Sequence, residues 1–148
     1  MALDQKARFG VVVAAVIGLV DSVYLTWIKF THNEASCLVG IGNCEAVNTS
    51  RYAEIGGIPI ALLGALAYLI LLVLVLLEVR KAISAENSST LIFGIGLAGF
   101  LYSLYLTYLE LMVIKAICPF CILSAVAMTA IFILAVVRLF LNRQNLKT

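Results

Sequence analysis

The chain has 148 residues, 64% of them hydrophobic and 12% charged, with a formal net charge of +2 and a mean hydropathy of +1.11. A water-soluble domain carries roughly 25% charged residues, so this chain cannot wet its own surface, and lipid is the solvent its composition implies. Nothing in the charge pattern suggests a nucleic-acid partner.

Four windows match a membrane span of about 20 residues: Phe9 to Ile28, Ile58 to Leu77, Thr90 to Leu109 (running on toward Ile114) and Ala116 to Val137. They predict an all-α membrane protein of one domain, residues 1–148. Its fold is a four-transmembrane-helix bundle with helices near 9–28, 58–77, 90–114 and 118–140, and a long outward loop, 29–57, between helices 1 and 2. A signal peptide would need a small-residue cleavage site after a short apolar core; the first window is long and passes directly into "DSVYLTWIKF", so it reads as a retained helix. Gly10, Ala14, Gly18 and Ser22 recur every four residues along it, a stripe that lets another backbone approach closely. Asp21 lies in its outer half. Membrane carboxylates usually face a bundle interior or a polar pocket, which leaves proton supply and helix packing as its two candidate roles.

In the loop, Cys37 and Cys44 bracket "LVGIGN". Gly40 and Gly42 give the segment freedom either to close a small structural disulfide or to swing in thiol–disulfide exchange. A short amphipathic helix within Cys44 to Ile55 is expected on the membrane surface. The polar connector "EVRKAISAENSS" follows the second span, with Ser88 or Ser89 as the expected cap of the third helix. Tyr24, Tyr105 and Tyr108 read as interfacial anchors before pocket residues, and Glu110 and Lys115 as wet surface groups.

The fourth span opens on "KAICPFCIL". Pro119 suits a first helical turn, which makes Cys118 the expected N-cap and puts Cys121 on the same face one turn inside. Unpaired N–H groups at a helix start lower a thiol pKa. Cys118 is therefore expected to be the partly wet thiolate facing aqueous thiols, and Cys121 the deeper sulfur beside a membrane-soluble oxidant. A two-residue spacer makes a strained, reducible bond. No metal site is expected, because a closed zinc centre wants a second close pair or histidines and the only histidine is His32. The tail beyond Arg138 is expected to be basic and frayed.

Lys6, Arg8, Arg80, Lys81, Arg138, Arg143 and Lys147 fall on one side of the spans; Lys29, Arg51 and Lys115 fall on the other. The positive-inside rule then puts both termini in the cytoplasm and all four cysteines outside, where disulfides persist. "GLVDSVYLT" from Gly18 returns as "GFLYSLYLT" from Gly99, at an offset of 81 residues that also carries Cys37 onto Cys118. The chain thus reads as a helix pair duplicated in parallel.

With "CLVGIGNC" in the loop, the following "CEAVNTSRYAEIGGIP" and "CPFCILSA" opening the last helix, the sequence resembles the vitamin K epoxide reductase family along essentially its whole length. The resemblance implies a bacterial-type member in the inner (plasma) membrane, with four helices around a quinone such as menaquinone or ubiquinone. It also implies that Cys37 and Cys44 take electrons from a thioredoxin-like partner, that Cys44 passes them to Cys118, and that Cys121 donates to the quinone. Ser50 matches the family's loop serine or threonine on the quinone side of the site. Some bacterial members carry a fused thioredoxin-like domain; with the sequence ending at Thr148, the partner is expected to be separate. Ala125 stands where animal members have a tyrosine, which favours a respiratory quinone over vitamin K epoxide. The other class of protein compatible with the sequence is a non-enzymatic membrane assembly factor or transporter subunit with structural disulfides.

Overall fold

A computed structural model of the chain describes residues 2–31 and 43–145. In chain order these form α1 (Ala2–Thr31), α2 (Cys44–Asn48), β1 (Glu54–Ile55), β2 (Ile58–Pro59), α3 (Ile60–Val79), α4 (Ala85–Tyr108), a π-helical turn (Leu109–Ile114) and α5 (Pro119–Asn145). The long helices α1, α3, α4 with its π turn, and α5 are each apolar enough to cross a membrane. They make the four-helix membrane bundle expected from the sequence. Val20, Leu66, Leu101 and Val126 are more than half exposed on its flanks, an apolar belt suited to lipid.

Helix α5 packs against both α1 and α4, and α1 also packs against α3. Val11, Ala15, Tyr68, Leu71, Ile92 and Ile131 fill the centre. The small-residue stripe explains the close approach. A Cβ built on Gly18 would lie 2.2 Å from Tyr68 Cζ on α3, and one on Gly10 would lie 2.8 Å from Leu134 on α5. The repeat has the same logic in its second half, where a Cβ on Gly99 would lie 2.7 Å from Met128 Sδ. Its serine and threonine also keep equivalent roles: Thr26 Oγ1 donates to Ser22 O at 2.8 Å, and Thr107 Oγ1 to Ser103 O at 2.9 Å.

The helix ends depart from the hydropathy windows for identifiable reasons. Helix α1 starts at Ala2 and α5 runs on to Asn145 because the two meet in a buried charge cluster. Arg138 is fully buried; its Nε donates to Asp4 Oδ1 at 2.9 Å and its Nη2 to Glu78 Oε1 on α3. From Arg138 as far as Asn145 the chain is therefore helical and not frayed, and Asn142 Nδ2 donates to Ser89 Oγ at 2.9 Å. The cap of α4 is neither Ser88 nor Ser89, which are both fully buried inside the helix. It is Ser84, whose extended backbone (ψ 150°) lets its side chain accept from Asn87 N–H. Helix α3 starts at Ile60 because Ile58 and Pro59 pair with Ile55 and Glu54 in a hairpin whose turn uses Gly56 (φ 59°) and Gly57 (φ 83°), the left-handed pair that tight hairpins require.

Candidate functional site

The chemistry-bearing residues gather at the end of the bundle away from the termini. Helix α2 within the expected surface-helix segment is short, and it is clamped onto the bundle and not left lying on lipid. Asn43 N–H donates to Ile117 O at 2.9 Å, Asn48 Nδ2 donates to Leu25 O at 3.2 Å, and Lys29 Nζ donates to Asn48 O at 3.1 Å. Lys29 also pairs with Glu54 at 2.9 Å. These contacts tie α2 to both α1 and the segment entering α5.

Under that clamp Cys44, Cys118, Leu25 and Val47 form one buried cluster, with Phe120 and Cys121 packed against it. Cys44 is disulfide-bonded, whereas Cys118 and Cys121 are free thiols. Cys37 lies outside the described residues. Cys118 takes the N-cap position: its Sγ accepts from Cys121 N–H at 3.4 Å, and its carbonyl accepts the first helical bond, from Ile122 N–H, at 3.1 Å. Hydrogen bonding from the Cys121 side chain, aided by backbone N–H groups of Cys121 and Phe120, lowers the Cys118 pKa against burial and the nearby Glu110.

The expectation that Cys118 is partly wet is overturned. Cys118 is 0% exposed, because α2 and Cys44 cover the start of α5; Cys121 is the partly accessible sulfur. That accessibility is toward a cavity of about 390 Å³ reached from all four long helices and from the loop. Its walls are mostly small or aliphatic, among them Gly64, Ala67, Ala98 and Gly99, with Cys121, Ser124 and Ala125 from α5. Small-molecule sites commonly occupy roughly 300–1,000 Å³, so the cavity is large enough for a quinone ring.

Ser50 lines this cavity, and its Oγ donates to Val47 O at 2.7 Å. Asp21 does not. It is 4% exposed, its two carboxyl oxygens have no hydrogen-bond partner among the described residues, and it acts electrostatically on Tyr68. Tyr68 does line the cavity, where its hydroxyl donates to Ser124 O at 2.9 Å. Tyr105 and Tyr108 are 50% and 59% exposed, as interfacial anchors would be, and the Tyr24 ring meets that of Phe120 in a tilted contact, centroids 5.0 Å apart. The tyrosines that reach the cavity are Tyr52, Tyr68 and Tyr102, which no local pattern in the sequence singles out.

Glu110 also corrects the sequence reading. It is 5% exposed, lines the cavity, and accepts the Cys118 N–H on Oε2 at 3.4 Å. The π turn and the left-handed Lys115 (φ 53°) behind it turn the carboxylate inward, while Lys115 itself is exposed as expected. A π turn inside an α-helix often marks a functional site.

The fold and site thus define a multi-pass helical membrane protein with a Cys-x-x-Cys pair set between a buried loop cysteine and an apolar cavity. The chain belongs to the vitamin K epoxide reductase family, whose sequence model matches residues 10–136. It is also similar to the thiol-disulfide oxidoreductase LTO1 of Arabidopsis thaliana, with 32% identity over 124 residues, 80% of this chain and 33% of that protein. The chain therefore spans about a third of the length of that relative.

Proposed function

We propose that the protein is a membrane thiol:quinone oxidoreductase that reoxidises a thioredoxin-like dithiol and so supports disulfide formation in exported proteins. The observation that carries this reading is the placement of the sulfurs: Cys44 shares a buried cluster with Cys118, while Cys121 faces the apolar cavity. In the proposed sequence the partner's dithiol reduces the Cys37 and Cys44 pair. Cys44 thiolate then attacks the Cys118–Cys121 disulfide at Cys118, and Cys121 leaves as the thiolate and takes up a proton; Cys37 thiolate attacks Cys44, which re-forms the loop disulfide and releases Cys118 as the thiolate. A bound quinone supplies a two-electron, two-proton acceptor. Helix α2 excludes water from the exchange step, Cys118 at the N-cap serves as the exchanging sulfur, and Cys121 delivers the electron pair to the cavity.

The cavity's chemistry fits that acceptor. Apolar walls suit a quinone ring with its tail, and several hydroxyl-bearing residues, Ser50 and Tyr102 among them, offer hydrogen-bonding groups to its carbonyls. Ala125 adds no hydroxyl to that lining, in keeping with menaquinone or ubiquinone as acceptor. The lysine and arginine bias puts both termini in the cytoplasm and the loop outside a bacterial plasma membrane.

The test is a spectroscopic titration of the purified protein in nanodiscs with ubiquinone and with menaquinone, using a reduced thioredoxin-like protein as donor. Stoichiometric quinone reduction that is lost in Cys121→Ala is expected. Loss of no activity in that variant, or no reduction of either quinone, would favour a structural membrane protein.

A further inference from the structure

The proposed electron path leaves the buried carboxylate of Glu110 unused. Asp4 and Glu78 meet Arg138, Glu54 meets Lys29, and Asp21, which is also buried, does not line the cavity. None of the ion pairs among the described residues includes Glu110. Its carbonyl accepts from Ala116 N–H at 3.2 Å, its Oε2 accepts the Cys118 N–H at 3.4 Å, and its side chain interacts with that of Cys121. It therefore meets both halves of the redox motif while bordering the same cavity as Cys121. A carboxyl kept only for helix packing would not need to touch both cysteines, and a buried carboxylate without a cation is costly.

We propose that Glu110 is the acid–base group of the Cys118–Cys121 pair, taking the proton of the Cys121 thiol and returning it to the reduced quinone in the cavity. In the reduced pair, Cys121–SH and Glu110–COO⁻ become Cys121–S⁻ and Glu110–COOH. With Cys118 already the thiolate, the electron pair passes to the quinone as the Sγ–Sγ bond closes, the Glu110 proton goes to one quinone oxygen and a proton from water to the other. One thiol and one thiolate lose two electrons and one proton, water supplies the second proton, one disulfide forms, one hydroquinone results, and Glu110 ends as a carboxylate. The acceptor half of this step rests on the function proposed above; the thiol half does not.

The titratable groups that share the cavity with Glu110 are Cys121 from α5, Tyr102 from α4, Tyr68 from α3 and Tyr52 from the loop, while α1 contributes only Ser22 and Leu25. Cys118 is the remaining neighbour. Glu110 is the one carboxyl group in that set, so a carboxyl signal coupled to the redox state of the cysteines and lost in Glu110→Gln belongs to it.

The full chain in nanodiscs, cycled between dithiothreitol and a soluble disulfide, is followed by redox-difference infrared spectroscopy. A carboxyl C=O band that appears on reduction, and disappears in Glu110→Gln, is expected. Glutamine keeps an oxygen to accept the Cys118 N–H but carries no exchangeable acid. In stopped-flow quinone reduction Glu110→Gln should be slower by about 10²-fold or more, with a pH–rate profile that no longer carries the contribution of the carboxyl group. Glu110→Asp should recover part of the rate. A wild-type difference spectrum without a carboxyl change overturns the proposal, whether or not the variant folds, and so does a Glu110→Gln variant with the wild-type pH–rate profile. If no quinone is reduced by the wild-type protein, the proposed function fails, while the infrared cycle, which contains no quinone, still decides the role of Glu110.

Discussion

Substituting Gly18 by alanine should unsettle the cavity wall from the far side of a helix. The new Cβ would lie 2.2 Å from Tyr68 Cζ, 2.4 Å from Cε1 and 2.7 Å from Cε2. Carbon atoms in contact sit about 3.5–4.0 Å apart, so the ring must retreat by about 1.3 Å or α1 must lift. Tyr68 is 1% exposed, and its hydroxyl is held at 2.9 Å to both Ser124 O and Ser124 Oγ, so a shift of that size breaks both bonds. Overpacking costs about 1–3 kcal/mol, and a buried hydroxyl left unpaired costs about 1–3 kcal/mol more. The better helix propensity of alanine returns about 1 kcal/mol. The net loss should be roughly 1–5 kcal/mol.

Equilibrium unfolding in mixed micelles, followed through the single tryptophan Trp27, measures that loss. Gly94→Ala is the control, since nothing lies within 4 Å of its added Cβ, and it should be neutral or slightly stabilising. The double variant Gly18→Ala/Tyr68→Leu removes the clashing ring and should show a coupling of about 1 kcal/mol or more. A Gly18→Ala protein as stable as the wild type, or one not relieved by Tyr68→Leu, would refute the reasoning.

Three further outcomes are expected. Cys121→Ala removes the resolving sulfur and should trap a Cys44–Cys118 link, visible by non-reducing peptide mass spectrometry; a Cys37–Cys118 link would reverse the roles of the loop cysteines. In the reduced protein Cys118 should alkylate with a pH midpoint below that of an ordinary thiol, because the lowered pKa keeps the thiolate populated at lower pH. Since hydrogen bonding from Cys121 is the largest cause, Cys121→Ala should move the midpoint up, and an unmoved midpoint would discount that hydrogen bond. For orientation, an impermeant maleimide should label a Lys115→Cys variant from outside and a Lys81→Cys variant only from the cytoplasmic side; the reverse pattern would invert the membrane topology.

The spans, the N-cap cysteine and the packing stripe were legible because each depends on local spacing: about 20 apolar residues, proline after cysteine, small residues every fourth position. What the sequence hid depends on distant partners. Hydropathy puts an acidic residue at the end of a span in water, yet Glu110 is turned inward by a π turn and a left-handed Lys115. A cysteine at a helix start reads as wet, yet Cys118 is sealed by a five-residue helix that Asn43, Asn48 and Lys29 hold in place. The first and last helices outrun their apolar windows because Arg138, Asp4 and Glu78, far apart in sequence, neutralise one another at the end bearing the termini. In each case a polar group is buried because a contact formed over a long sequence separation makes burial affordable.

The duplication shows where function departs from symmetry. The repeat of 81 residues pairs Gly18 with Gly99, Ser22 with Ser103 and Thr26 with Thr107, and these keep matching structural roles in the two halves. The pairs that diverge lie nearer the chemistry. Asp21 is buried away from the cavity, whereas its counterpart Tyr102 lines it. Lys29 holds the loop through Asn48 and Glu54, whereas its counterpart Glu110 holds the Cys118 N–H. One basic residue thus fastens the loop, and one acidic residue stands at the Cys-x-x-Cys pair. A perfectly symmetric pair of halves would give two cations or two carboxylates at these positions, and neither arrangement would both clamp α2 and set a carboxylate beside Cys121. Divergence at these two registers separates the clamp on the loop from the polar groups that border the cavity.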